Sequence, residues 1–234
     1  MTSSTDKTAF WRGFRDGMPF ILAAGPFGLV FGLVATEAGM KLYETMAMTI
    51  LVIGGASQFA ALAQMQQQAP LVLVIAAGLL VNMRMAIYSA ALAPHLGPAP
   101  FWKRAFAAYM LVDNVYITAI ADYTKRPDAP ISARMRYFFG TALPACTAWY
   151  LSTLIGAMAG RAIPESWQLD FIVPIAFIAL LAPMLRTLAH LTAVMTSVVV
   201  ALLLAWMPYN TELLVAALAA MAAGAEVERR RGAQ

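Results

Sequence analysis

Residues 71–92 read LVLVIAAGLLVNMRMAIYSAAL, and Arg84 is the one charged side chain in this stretch. About 20 predominantly apolar residues are enough for a helix to cross a bilayer. The stretch therefore predicts a membrane-spanning helix. An arginine inside such a helix has to pair with another group or face a cavity, because a charged side chain is unfavourable in hydrocarbon.

The rest of the chain has the same character. Of its 234 residues, 61% are hydrophobic and 12% are charged, and the mean hydropathy is +0.70. This composition excludes a disordered chain and disfavours a soluble globule, which carries roughly 25% charged residues. We predict an all-α, polytopic helical membrane protein, since membrane helices satisfy their backbone hydrogen bonds without water.

Eight hydrophobic segments follow one another along the sequence, and we expect some of them to be broken or kinked by glycine and proline. The segments at 168–186 and 209–225 can be re-entrant or tilted, so seven crossings are the alternative to eight. We assign an N-terminal tail to 1–16, one transmembrane domain to 17–225 and a basic C-terminal tail to 226–234. The segments are 17–37, 44–64, 70–92, 104–121, 137–160, 168–186, 187–207 and 209–225.

The basic residues predict the orientation of the chain. If the N-terminus is cytoplasmic and all eight segments cross, 11 of the 16 Lys and Arg residues lie inside and four lie outside. This bias follows the positive-inside rule and predicts that both tails are cytoplasmic. The net charge of +4 then reflects these loops, and no nucleic-acid partner is expected, since no basic patch alternates with aromatic residues.

Motifs for catalysis and cofactor binding are missing from the sequence. It has no Walker loop, no dinucleotide-binding glycine motif and no cluster with metal-ligand spacing. The two histidines, His95 and His190, are far apart, and Cys146 is the single cysteine. We therefore expect no enzymatic activity, no metal site and no cofactor.

Asp113 is a second charge inside the membrane, in the middle of segment 104–121. On antiparallel helices joined by the loop 93–103, Arg84 and Asp113 would lie at one depth, ~14 Å from the same end. Opposite charges at one depth predict an ion pair, which either fixes helix packing or lines a substrate path. The polar side chains expected near this level are Asn82, Tyr88, Tyr109, Asn114 and Tyr116.

Glycine-rich stretches interrupt the first two segments. In Gly25–Pro26–Phe27–Gly28, proline removes a backbone donor, and a break there would free backbone groups to bind a substrate. The alternatives are a plain kink or a stripe of small residues, Gly25, Gly28 and Gly32, for close helix packing. The stretch Gly54–Gly55–Ala56–Ser57–Gln58 indicates either a second break or tight packing with hydrogen bonds between helices, in which Ser57 and Gln58 take part.

Four stretches occur in the order GPFGLVFG at 25–32, GASQFAA at 55–61, VNMRMAIYS at 81–89 and LDFIVP at 169–174. Together they resemble the AzlC family, the large subunit of two-component branched-chain amino acid exporters. The resemblance implies export of leucine, isoleucine or valine, and often methionine, across a bacterial inner membrane. It also implies a small hydrophobic AzlD-like partner subunit.

This chain departs from the family pattern at two positions. Family members often have histidine where this chain has Met85, and an acidic residue where it has Asn114. Both differences remove a titratable group near the expected site, so the coupling ion stays open. Proton coupling is possible with Asp113 as the carrier, although a paired aspartate is a poor one because its charged form is stabilised.

We expect alternating access around a site near the membrane midplane. The substrate ammonium would meet Asp113 or freed carbonyl groups. Its carboxylate would meet Arg84, or a helix N-terminus near Gly25–Gly28 or Gly54–Ser57. The aliphatic side chain would lie against Met83, Met85 and phenylalanines. The alternative is a channel or a carrier for another small solute or ion, although the sequence has no ring of charge or carbonyl filter.

Overall fold

The computed structural model describes residues 2–161, 185, 187–208 and 211–232. These residues form helices and contain no strand, so the predicted all-α, polytopic membrane fold is confirmed. Apart from position 185, the predicted segment 168–186 lies outside the described residues, and so does the stretch 169–174. The helices are α1 (Thr2–Gly17), α2 (Ile21–Glu37), α3 (Leu42–Leu51), α4 (Gly55–Gln66), α5 (Leu71–Leu96), α6 (Phe101–Tyr109), α7 (Asp113–Lys125), α8 (Ile131–Gly160), α9 (Leu188–Leu203) and α10 (Thr211–Gly232).

Three helical stretches of the described chain are long and apolar enough to cross a membrane. They are Thr8–Glu37, which joins α1 and α2 through a 3-10 turn at Met18–Phe20, then Leu71–Leu96 and Ile131–Gly160. The predicted tail 1–16 thus belongs to a helix that continues into the first crossing. The cytoplasmic placement of this segment and of 226–234 stays a prediction.

The described residues form two compact units, one built from 2–59 and 81–161 and the other from 60–80 and the described residues from 185 onwards. In the second unit α9 and α10, at the predicted segments 187–207 and 209–225, pack against each other. Near the end of α10, Glu226 forms ion pairs with Arg229 and Arg230, which lower the pKa of its carboxyl. The first unit contains the residues predicted to bind substrate.

In the first unit, α1–α2 and α8 lie side by side and run in the same direction. Glycines let the backbones approach: a Cβ at Gly13 would overlap the carbonyl of Tyr137, and one at Gly32 would overlap the carbonyl of Thr153. Small residues are a common means of close helix packing in membranes. We call the end where α1 and α8 begin the inner end, and the end where α2 and α8 finish the outer end.

The predicted helix break at Gly25, Pro26 and Gly28 is wrong. Helix α2 is continuous from Ile21 to Glu37 with Pro26 inside it. Gly28 belongs instead to the close contact, because a Cβ there would overlap the Ser152 side chain of α8. Gly25 faces open space, with no other described atom within 4 Å of its Cβ position. Packing on α8 holds α2 helical, although proline removes one of its hydrogen bonds.

Segment 44–64 consists of two half-helices, α3 and α4, separated by the non-helical residues 52–54. The Gln58 amide donates from Nε2 to Thr49 Oγ1 at 3.3 Å. On a continuous helix two residues nine positions apart would be separated by ~13 Å, too far for this bond. The chain therefore folds back at the break.

The contacts of α4 give its direction. A Cβ at Gly55 would stand 2.5 Å from Phe27 Cε1, whereas Phe59, one turn later, contacts both Phe27 and Phe31 at ring distances of 5.2 Å. Helix α4 thus follows α2 towards the outer end. Within the first unit, α3 and the first turn of α4 therefore form a re-entrant hairpin whose two arms both lie on the outer side of the break.

Segment 104–121 is also two half-helices, α6 and α7. Phe106 contacts the ring of Phe139 at 5.6 Å, and one turn later the Tyr109 and Tyr150 hydroxyl oxygens are 2.8 Å apart. The later residue of α6 thus contacts the later residue of α8. Helix α6 therefore runs in the same direction as α8, from the inner end towards the middle.

Helix α7 runs in the opposite direction and returns to the inner end. The Tyr123 hydroxyl near its end donates to the carbonyl of Arg134, close to the start of α8, at 2.9 Å. The expectation of antiparallel helices joined by the loop 93–103 holds for α5 and α6 but is wrong for the half-helix that carries Asp113, because α5 and α7 are parallel. Their contacts advance in register as Arg84 with Asp113, Tyr88 with Tyr116, and His95 with Tyr123.

The two hairpins place more of the basic residues at the inner end than eight crossing segments would, and so they strengthen the charge bias. Arg104 Nη1 donates to the carbonyl of Gly97 at 3.2 Å, which places the start of α6 beside the end of α5 at the inner end. Lys103 and Arg104 therefore join the other inner basic residues, and Lys41 and Arg161 are at the outer end. By the positive-inside rule we expect the inner end to face the cytoplasm, and this orientation stays a prediction. The inner basic residues up to position 161 are Lys7, Arg12, Arg15, Lys103, Arg104, Lys125, Arg126, Arg134 and Arg136.

Candidate functional site

The two hairpin breaks lie next to each other in the middle of the first unit. Tyr109, the last residue of α6, donates its hydroxyl proton to the carbonyl of Ile50, near the end of α3. A phenol has one proton to donate, so the 2.8 Å contact with Tyr150 has Tyr150 as the donor. Tyr109 thus joins the two breaks and satisfies a carbonyl that the end of α3 leaves without a helical partner.

At the second break, Asp113 is the first residue of α7. Val112 before it is extended, with φ −129° and ψ 163°, and the new helix begins directly afterwards. A carboxylate is favourable in a first helical turn, where backbone N–H groups are unpaired and the helix dipole is positive. The sequence placed Asp113 inside a continuous helix, whereas the structure places it at a helix N-terminus at mid-depth.

The predicted ion pair between Arg84 and Asp113 is present. Arg84 Nη1 is 3.1 Å from Asp113 Oδ2, and the two side chains are 36% and 37% exposed. Arg84 Nε and Asp113 Oδ1 are buried and have no hydrogen-bond partner in the described part of the chain. The pair therefore has one donor and one acceptor that contacts within the described residues do not use.

Aromatic rings form one wall of this pair. Tyr88 and Tyr116 are stacked, with ring centroids 4.3 Å apart and planes at 10°. Tyr88 follows Arg84 by four residues on α5 and Tyr116 follows Asp113 by three on α7, so the stack lies one helical turn from the pair. Asn114, the second residue of α7, is half-buried beside them. A charged pair against an aromatic wall can hold a ligand with both charged and apolar parts.

The first break requires its glycines. A Cβ at Gly54 would stand 2.7 Å from Ser57 Oγ and 3.0 Å from Asn82 Oδ1, and one at Gly55 would stand 2.7 Å from Trp149 Cη2. These distances are shorter than ordinary van der Waals contact. The Ser57 hydroxyl donates to the carbonyl of Gly54 at 2.7 Å and caps the break. The predicted break at Gly54 and Gly55 is thus present.

Polar atoms without partners surround the start of α4. Gln58 is fully buried, and its Oε1 has no hydrogen-bond partner among the described residues, nor has Asn82 Oδ1. Trp149 is 6% exposed, and its Nε1 has no hydrogen-bond partner within the described ranges. Buried polar atoms in a native protein are normally hydrogen-bonded. These atoms therefore have hydrogen-bonding capacity that contacts within the described residues do not use.

The structure separates the predicted site residues into two groups. Asn82 and Arg84 project about 200° apart around α5, because each residue turns the helix by about 100°. Asn82 therefore belongs with Ser57 and Gln58 at the first break, and Arg84 belongs with Asp113 at the second. Sequence reasoning missed the roles of Thr49, Tyr109, Trp149 and Tyr150, and the only signal for the second break was the Asp113–Asn114 pair, which is typical of helix starts.

A cavity of about 330 Å³ lies between α5 and α6, on the inner side of the second break. Its volume is in the range of small-molecule pockets, roughly 300–1,000 Å³. Leu111, a residue of the break, lines it together with Ser89, Leu92, Leu96, Ala105 and Phe138. The cavity is mostly apolar and ends next to the start of α7.

Comparison with known proteins assigns the chain to a family. The family described as AzlC protein matches residues 19–163, which is more than half of the sequence. The chain belongs to the AzlC family. The matched region contains both re-entrant hairpins and all of α5, and thus every residue of the candidate site in this AzlC protein.

Several named proteins are similar to this AzlC chain over most of their length. An uncharacterized membrane protein of Archaeoglobus fulgidus is 27% identical over 86% of this chain and 87% of its own. Inner membrane protein YgaZ of Escherichia coli is 24% identical over 75% of this chain and 73% of its own. An uncharacterized membrane protein of Helicobacter pylori is 24% identical over 73% and 75%. No solved structure matches the chain.

Proposed function

We propose that this AzlC protein is the large subunit of a secondary-active exporter for neutral amino acids, chiefly leucine, isoleucine, valine and methionine. Membership of the AzlC family supports a role in membrane transport. The name of the similar E. coli inner membrane protein supports location in a bacterial inner membrane. The protein moves its substrate without converting it chemically.

The ion pair between Arg84 and Asp113 is the observation that carries this proposal. An α-amino acid presents an ammonium and a carboxylate on one carbon. Arg84 Nε offers a donor for the carboxylate and Asp113 Oδ1 offers an acceptor for the ammonium. Hydrogen bonds with charged partners are roughly twice as strong as neutral ones, so the open pair is complementary to a zwitterion.

The surroundings of the pair favour an aliphatic side chain over a polar one. The Tyr88–Tyr116 stack provides an apolar face beside the charges. The neighbouring cavity is lined largely by leucine, alanine and phenylalanine, and it leads towards the inner end. In our proposal it is the cytoplasmic entry route, and the α6–α7 hairpin moves to close it during alternating access.

We further propose that the protein works with a small AzlD-like membrane subunit. Arg84 and Asp113 are about one-third exposed at mid-depth, where contact with lipid is unfavourable. A second subunit would complete the wall around them. Co-purification of one small membrane protein with the tagged chain supports this arrangement. Leucine export by the purified chain without any second subunit contradicts it.

Counterflow in proteoliposomes tests the export proposal. Vesicles containing the chain and its small subunit are loaded with unlabelled leucine, and the uptake of labelled leucine is measured. We expect saturable counterflow that Asp113→Asn and Arg84→Gln reduce at least tenfold. Arg161→Gln is the matched control at the outer end and retains the wild-type rate. Flux without counterflow supports a channel, and equal rates in all variants contradict the site.

Proton coupling is the coupling mode we propose to test first, with Asp113 as the carrier. The same vesicles are given an inward or outward pH gradient, and net leucine movement is recorded. Gradient-driven accumulation that Asp113→Asn abolishes supports proton coupling through this carboxylate. Accumulation that is independent of the pH gradient contradicts it.

A further inference from the structure

A second cavity, of about 320 Å³, lies at the inner end, where α7 finishes and α8 begins. It is separate from the substrate site: Asp113 and Lys125 are at opposite ends of α7, ~18 Å apart at 1.5 Å per residue. The loop 126–130 closes one side, and Ala9, Arg12 and Ala133 close the other. The export mechanism proposed above uses none of these residues.

The lining of this cavity is basic. It contains Arg12, Lys125 and Arg126, against one lining carboxylate, Asp128. Behind the cavity the buried Asp122 pairs with Arg12 Nη2 at 3.2 Å and with Arg126. The Asp122 carboxylate therefore holds both arginines in place. Each arginine retains further N–H groups for another acceptor.

Two donors remain without a partner. Arg12 Nε is buried and has no hydrogen-bond partner in the described chain. The same guanidinium lies over the Tyr137 ring, 5.1 Å from its centroid, so the Arg12 side chain is held in position beside the cavity. Lys125 is exposed at the edge of the cavity and forms no ion pair within the described residues.

We propose that this cavity binds a phosphate group, held by Lys125 Nζ and by the N–H groups of Arg12 and Arg126 that are not paired with Asp122. A phosphate offers several acceptor oxygens and negative charge to this set of donors, and arginine and lysine are its usual partners in proteins. Asp122 orients both arginines, and the Asp128 carboxylate lines the cavity beside them.

The position of the cavity favours the head group of an anionic phospholipid as the source of the phosphate. The neighbouring Trp11 is 64% exposed, as expected for an aromatic side chain at the membrane–water interface. Basic pockets between helices on the cytoplasmic side of membrane proteins bind anionic head groups. Free phosphate from the cytoplasm is the second source with the same chemistry.

Thermal unfolding of the purified protein with its small subunit, in detergent micelles, tests this proposal. The midpoint is measured after adding phosphatidylglycerol, phosphatidylcholine or inorganic phosphate at a series of concentrations. We expect phosphatidylglycerol to raise the midpoint and phosphatidylcholine to leave it unchanged. Lys125→Gln is expected to weaken the apparent affinity for phosphatidylglycerol at least threefold, whereas Lys103→Gln, at the same end but outside the cavity, does not.

The outcomes separate the two sources. A rise with phosphatidylglycerol that depends on Lys125 supports the head group, and a rise with inorganic phosphate that depends on Lys125 supports free phosphate. Because Lys125 forms no ion pair among the described residues, Lys125→Gln should leave the fold intact, and Arg126→Gln provides a second variant. No rise with either probe, or a rise that all variants share, overturns the proposal.

Discussion

Arg84 Nη1 lies 3.1 Å from Asp113 Oδ2 and joins the middle of a crossing helix to the first residue of a re-entrant half-helix. The contact is possible because α5 and α7 are parallel and the chain reverses just before Asp113. A single ion pair thus fixes the tip of a hairpin beside a crossing helix. In the proposed function, the same two charges bind a zwitterionic substrate.

The pair should show strong coupling in stability. Asp113→Asn or Arg84→Gln alone leaves one charge at mid-depth, and each should reduce the free energy of unfolding by about 1–2 kcal/mol. The figure is below the value for a fully buried pair, because both side chains are about one-third exposed. The double variant should lose less than the sum. Unfolding in sodium dodecyl sulfate measures all three, and additive losses would show that the residues do not interact.

The topology of the α6–α7 hairpin can be tested by cysteine labelling. In a Cys146→Ser background, Lys103→Cys and Lys125→Cys should react with an impermeant maleimide from the same side of the membrane, and Lys41→Cys from the other side. The reason is that α6 begins and α7 ends at the inner end. Labelling of Lys103→Cys from the side of Lys41→Cys would contradict the hairpin and restore a crossing helix.

The glycines of the two interrupted stretches should respond differently to alanine. A Cβ at Gly55 would stand 2.5 Å from Phe27 Cε1 and 2.7 Å from Trp149 Cη2, so Gly55→Ala should lower stability by about 1–3 kcal/mol. Gly25→Ala is the matched control, because its Cβ meets no described atom within 4 Å. It should be neutral or gain up to ~1 kcal/mol from better helix propensity. Equal effects in thermal unfolding would disprove the assignment of the break.

Tyr109→Phe should loosen the connection between the hairpins. The variant loses the hydrogen bond to the carbonyl of Ile50 and the contact with Tyr150, a loss of about 1–2 kcal/mol. We expect a lower maximal counterflow rate with little change in the leucine concentration at half-saturation, since Tyr109 does not touch the Arg84–Asp113 pair. Tyr43→Phe is the control at an exposed tyrosine. A wild-type rate in Tyr109→Phe would exclude a role in coupling the breaks.

Hydrophobicity and charge were sufficient to predict the membrane class and the all-α fold. They also indicated that Arg84 and Asp113 lie close together, but through an antiparallel arrangement of helices that the structure does not have, so the sequence left the pairing itself open. They were not sufficient to predict the reversals. A crossing helix and a re-entrant hairpin are both apolar over about 20 residues, so hydropathy alone does not separate them. The distinction comes from tertiary contacts such as the Gln58–Thr49 hydrogen bond, which no local pattern encodes.

Proline and glycine were ambiguous for a related reason. The sequence signal at Gly25 and Pro26 was as strong as that at Gly54 and Gly55, yet only the second stretch is broken. Packing against α8 decides the difference, because Gly28 and Gly32 bring the α2 backbone against that helix and hold it regular. Gly54 and Gly55 instead make room for Asn82 and Trp149, which lie across the break.

Binding of three related ligands to the purified complex tests the zwitterion site most directly. The ligands are leucine, leucinamide, which lacks the carboxylate, and 4-methylpentanoate, which lacks the ammonium. We predict that leucine binds at least tenfold more tightly than either analogue, since a site built for hydrogen bonds rejects a ligand that leaves its charged groups unpaired. Asp113→Asn should remove the advantage of leucine over 4-methylpentanoate. Equal affinities for all three ligands, or no binding of leucine, would contradict the proposal that Arg84 and Asp113 bind an amino acid.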